Sequence, residues 1–133
     1  MGSDRVRPPI ITAEPDLQLH PVMAAYAAAL RNADGPGLLA VLDPAFRHRR
    51  PDGTYPDSDD VRTEFVEGLV AIGGVPIQYV TATDDGSCAA HEFISWRTPP
   101  HAGVGVYERS EAGLIREFRG YEGPVYPKPG RTW

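Results

Sequence analysis

The spacing of apolar residues changes from four to two at Val75, and this change divides the chain into a helical front and a β-sheet back. Ahead of it, Val22, Tyr26 and Leu30 recur every four residues, residues 38–42 form a short second helix, and Val61, Phe65, Leu69 and Ile72 mark the buried stripe of a third. Behind it, residues 77–83, 88–97, 103–109 and 114–122 are of strand length and rich in β-branched and aromatic side chains. Punctuation agrees with this division. His20-Pro21 opens the first helix, which runs to about Ala33, with proline at the position whose missing N–H costs nothing. Asp57-Ser58-Asp59-Asp60 has the composition of a helix N-terminus, and Gly73-Gly74 that of a helix stop. Residues 45–50 read as a short strand and 51–54 as a turn. Asp84-Asp85-Gly86 and Glu111-Ala112-Gly113 read as hairpin turns, and Thr98-Pro99-Pro100 as a looser connection. Helices followed by an antiparallel meander imply an α+β fold.

At 133 residues the chain has room for one core. The expected division is an irregular N-terminal arm at 1–16, a single domain at 17–126 and a proline-containing tail at 127–133. A net charge of -5 argues against a nucleic-acid partner, which calls for a basic surface. No apolar run reaches the roughly 18 residues of a membrane span, and Met1-Gly2-Ser3-Asp4-Arg5 lacks the features of a signal peptide, so a cytoplasmic protein is expected. Cys88 is the only cysteine, and His20, His48, His91 and His101 lie on separate elements, so no metal site is expected. Neither a glycine-rich phosphate loop nor a nucleophile elbow is present, and no cofactor is expected.

Four stretches resemble one known superfamily: residues 22–30, Phe46-Arg47-His48-Arg49-Arg50-Pro51-Asp52-Gly53, residues 104–115, and Arg119-Gly120-Tyr121. In that order and spacing they resemble the nuclear-transport-factor-2-like proteins, which include ketosteroid isomerase and the SnoaL-like polyketide cyclases. The resemblance implies a cone-shaped, strongly curved, mostly antiparallel sheet with three N-terminal helices around a pocket. It also implies a homodimer through the outer sheet face. Ketosteroid isomerase uses an aspartate base with a tyrosine and a protonated aspartic acid as oxyanion donors. Tyr26 matches the tyrosine by its place on the first helix, whereas Arg50 and Gly105 stand where the two acids belong. Isomerisation by that mechanism is therefore rejected.

Strand alternation supplies a replacement site. With Gly105 taken as inward, Gly103 and Tyr107 share its face; the neighbouring strand, aligned through Trp96, then presents Cys88, Ala90, Glu92 and Ile94. The last strand presents Phe118, Gly120 and Glu122, and the short strand His48 and Arg50, while His91 points outward. On this reading Glu92, in an apolar setting that raises its pKa, is the acid–base group, with His48 and Tyr26 as catalytic partners. Arg50, Tyr107, Phe118, Glu122 and Gly105 would bind substrate, the bare Gly103, Gly105 and Gly120 leaving space for it. A shift of the alternation by one, or a Glu92–Arg50 salt bridge, would remove the role of Glu92. Likewise His48 could be a solvated member of a basic run, and either tyrosine a core residue. The expected function is a cofactor-independent isomerase, cyclase, dehydratase or epoxide hydrolase acting on a small hydrophobic oxygenated molecule. The alternative is a non-catalytic binding protein.

Overall fold

In the computed structural model the described residues are 17–125; the expected arm at 1–16 and tail at 127–133 lie outside them. Three helices, α1 (Pro21–Asn32), α2 (Gly35–Val41) and α3 (Val61–Ala71), pack on a five-stranded sheet. Its strands are β1 (Leu42–Arg49), β2 (Ile77–Asp84), β3 (Cys88–Ser95), β4 (His101–Arg109) and β5 (Ile115–Pro124), in spatial order β1-β5-β4-β3-β2. β2 to β5 form the antiparallel meander, and β1 adds to β5 in parallel. The architecture is the α+β arrangement of a curved, mostly antiparallel sheet under helices. No helix among the described residues is long and apolar enough to cross a membrane.

α1 begins where its proline predicts, and the His20 imidazole caps it by accepting the Val22 N–H through Nδ1. Met23, Tyr26, Ala27 and Leu30 form its buried face. α2 starts earlier than the apolar run implied, because Asp34 accepts the Gly37 N–H and Pro36 fits the first turn; the run ends earlier too, since Leu42 already belongs to β1. In α3 only Leu69 is fully buried. Val61 and Phe65 are half-buried, and Ile72 lies beyond the helix end, exposed. The acidic stretch does not cap α3 as expected: Asp60 makes no side-chain cap, and Ser58 instead accepts the Asp60 N–H and donates to Glu64. Gly73 and Gly74 do end the helix with positive φ.

The core lies between the helices and the inward sheet face, where Tyr26, Leu38, Leu42, Tyr79, Phe93, Tyr107 and Ile115 are buried. Outside the sheet, Tyr55 donates to Glu117 and lies under the Arg47 guanidinium at 3.7 Å, while Arg119 joins Glu117 to Glu108. These contacts fasten the chain following β1 against the sheet.

Candidate functional site

Two glycines determine how the inward face is filled. Gly105 on β4 opposes Gly120 on β5, and the next inward pair is Tyr107 with Phe118. With no side chain beneath them, both rings lie back across the glycines: a Cβ on Gly105 would stand 2.5 Å from the Tyr107 hydroxyl, and one on Gly120 2.8 Å from the Phe118 ring. The two rings stack at 5.1 Å and 24°. The space these glycines were expected to leave for a ligand is thus taken by the protein's own aromatic side chains. At Gly103 the neighbouring Tyr121 carbonyl and the Glu122 backbone occupy the equivalent position.

Tyr107 is the hub of the buried layer. Tyr26 meets it edge-on at 5.0 Å, and the Tyr26 and Tyr79 hydroxyls both lie close enough to the Tyr107 hydroxyl to influence its ionisation. Burial pushes the Tyr26 and Tyr107 phenols well above their ordinary pKa, so both remain protonated donors through the neutral range. His91 completes the group, 4.7 Å from Tyr79 and 5.3 Å from Tyr107, and is 1% exposed.

The burial of His91 corrects the alternation predicted for β3. His91 pairs with Gly105, and Ala89 with Tyr107, so the inward set is Ala89, His91, Phe93 and Ser95. Cys88, Ala90, Glu92 and Ile94 face the other way. Glu92 is exposed, opposite Val104, and its carboxylate accepts from Thr81 at 3.3 Å. It is neither buried nor near Tyr26. Alignment through Trp96 misplaced the register by one, because Trp96 lies beyond the end of β3. In β2 a bulge between Tyr79 and Thr81 adds a second irregularity beside Glu92. Pairing through Gly105 is the signal that finds His91.

His48 does face inward. It pairs with Phe118, stacks on that ring at 5.1 Å and 26°, and meets Phe65 of α3 edge-on at 5.7 Å. Phe46 extends the layer against Phe65. Half-buried desolvation, reinforced by the nearby Arg50 charge, lowers the His48 pKa from its ordinary value near 6.5. No hydrogen bond to another described residue engages its ring nitrogens. Arg50 falls outside β1, correcting its placement on the inward strand face: it is exposed, and its guanidinium donates to Thr54 and the Tyr55 carbonyl. Glu122 is inward by register, opposite Gly103, and its carboxylate is held at the sheet end by Arg97 at 2.8 Å.

The structure therefore brings Tyr26, Tyr107, Phe118, Gly105 and His48 into one layer and sets Glu92, Arg50 and Glu122 apart from it. Among the described residues no three His, Cys, Asp or Glu side chains converge as metal ligands would. A separate open groove of about 620 Å³ runs along the outer side of α1, lined by Leu17, Leu19, Ala24, Ala28 and Arg31 among others.

Solved structures place this architecture. An NTF-2 like protein of unknown function from Burkholderia xenovorans superposes with a TM-score of 0.67 at 16% identity, over 82% of this chain and 85% of that one. The chain has the nuclear-transport-factor-2-like fold. A protein from Kribbella flavida named as a candidate ketosteroid isomerase matches with a TM-score of 0.66 at 19% identity, covering 83% and 82% of the two chains. An LEH-like epoxide hydrolase from M. tuberculosis matches at 0.62 and 18% identity, covering 77% and 80%. No protein-family model and no curated protein matches the sequence, so the likeness is one of fold.

Proposed function

We propose that this protein binds a small hydrophobic oxygenated molecule against His48, Phe65 and Phe118 and uses His48 to move a proton on it. The observation that carries this reading is the setting of His48: a half-buried imidazole flanked by two phenylalanines, with a lowered pKa and nitrogens unengaged by described side chains. Such a group is neutral at pH 7 and basic enough to accept a proton, while the rings beside it favour apolar matter. Isomerisation, dehydration, cyclisation and epoxide opening all need that step and no cofactor. Two of the structural neighbours carry names from this range, an epoxide hydrolase and a candidate ketosteroid isomerase. Because the neutral imidazole is the active form, the rate should fall as pH drops through the His48 pKa, below the free-histidine value.

Turnover of styrene oxide and 2-cyclohexenone tests the reading. His48→Gln should lower the rate by about 100-fold or more, and Glu92→Gln should leave it unchanged. Turnover that survives His48→Gln would contradict the assignment.

A non-catalytic reading is favoured by one observation. Tyr26 and Tyr107 pack edge-on against each other and are each only 2% exposed, so their hydroxyls do not face an opening. Under it, His48→Gln changes only the affinity for apolar probes, and wild-type protein turns over neither compound.

A further inference from the structure

The end of the sheet where the 84–88 hairpin meets the end of β4 holds polar groups that the site around His48 does not use. Arg109 is the next inward residue after Tyr107 on β4, and its side chain is 1% exposed. Nη2 donates to Asp84 at 2.6 Å. Its other two nitrogens, Nε and Nη1, are buried without a hydrogen-bond partner among the described residues. A guanidinium taken out of water is tolerated when its donors meet acceptors, and Asp84 meets only one of the three nitrogens. The Asp84 oxygen is also shared with the Gly86 N–H at 2.8 Å, which fixes it toward the hairpin.

The start of α1 faces the same corner. Tyr26 sits on Tyr107, so the preceding turn of the helix lies toward Arg109, and His20 is close enough to Asp84 to help hold its carboxyl below the usual range. His20 Nδ1 accepts the Val22 N–H, which leaves Nε2 as the ring N–H. The twelve-residue α1 adds the positive end of its dipole. Asp84 and Asp85 of the hairpin both lie within reach of the Arg109 charge, so an incoming anion is received by the donors that neither carboxylate engages, Nε and Nη1 of Arg109, together with the His20 N–H and the helix end. Asp84 is partly exposed beside an exposed hairpin, which gives the corner a route to solvent.

We propose that Arg109, His20 and the first turn of α1 form a binding site for a small oxyanion, of the kind a carboxylate or phosphate group presents. The guanidinium supplies charge-assisted donors and Asp84 holds it in place. The site lies on the far side of Tyr107 from His48, and it does not rest on the reading of His48.

Thermal unfolding of the whole chain in acetate, in phosphate and in chloride at one ionic strength tests the proposal. Acetate or phosphate should raise Tm saturably by at least about 4 °C over chloride, and Arg109→Gln should abolish that rise while His48→Gln keeps it. The two oxyanions distinguish a carboxylate site from a phosphate site. Equal Tm in all three salts, or a rise that persists in Arg109→Gln, would overturn the site. Should Arg109→Gln fail to fold, the Nε–H resonance of Arg109 in the wild-type protein decides: a saturable shift on acetate or phosphate addition is expected, and an unmoved resonance overturns the proposal.

Discussion

Gly105→Ala puts a methyl group where the Tyr107 hydroxyl now lies, 2.5 Å away, and so forces the ring off its neighbours. Overpacking of this kind costs about 1–3 kcal/mol, which urea unfolding would read as a lower midpoint. The variant should also separate the Tyr26 and Tyr107 hydroxyls, moving both phenol resonances. An unchanged midpoint would mean the Tyr107 ring is free to lie elsewhere. At this scale the sequence was only partly legible. Tyr26, Tyr107 and Phe118 were expected inward and are inward, because helix position and a strand period anchored on Gly105 determine them. Glu92 and His91 exchanged faces, since with a period of two a register error of one residue reverses every side chain. Glycines told where side chains are missing but not what fills the gap. Here the occupant comes from the same strand, two residues along.

Among the elements, α2 shows how a cap can move a helix boundary. Asp34 accepts the Gly37 N–H at 3.0 Å, so the helix begins three residues before the apolar run predicted for it. Asp34→Ala should cost about 1 kcal/mol, with Asp34→Asn close to neutral, both read from denaturant midpoints; equal losses would assign the effect to charge rather than to the cap. α3 teaches the converse. Its stripe of apolar residues is visible in the sequence, yet Phe65 is half-buried because its ring contacts Phe46, His48 and Phe118 rather than a closed core. Ile72 fits the period but follows the helix end and stays exposed. The strands fared better, because turn glycines bracket them: Gly86 and Gly113 take positive φ where the hairpins were expected. Strand ends moved by up to two residues, and β1 gained three at its start, where backbone pairing with β5 at Leu42 extends past the bulge.

At the scale of the molecule, one sheet face carries no helix among the described residues. Val80, Val104 and Tyr121 are exposed there, beside half-buried Ala90, Ile94, Ala102 and Val106. We propose that a second copy covers this face. Sedimentation equilibrium should then give a dimer for the wild-type protein and a monomer for Val104→Lys combined with Tyr121→Asp. A wild-type monomer at micromolar concentration would contradict it. The overall architecture was readable because the order of elements and the change of period are properties of long segments, insensitive to errors of a residue or two. The site was less readable because it depends on single-residue register and on how rings settle over glycines.

The assignment of the proton-moving group to His48 is tested most directly by the pH titration of its imidazole resonances, with and without saturating 2-cyclohexenone. A midpoint below 6.5 is expected for the protein alone, with a saturable movement of the His48 signals on addition of the probe. A His48 midpoint at or above 6.5, with signals indifferent to the probe, would contradict it.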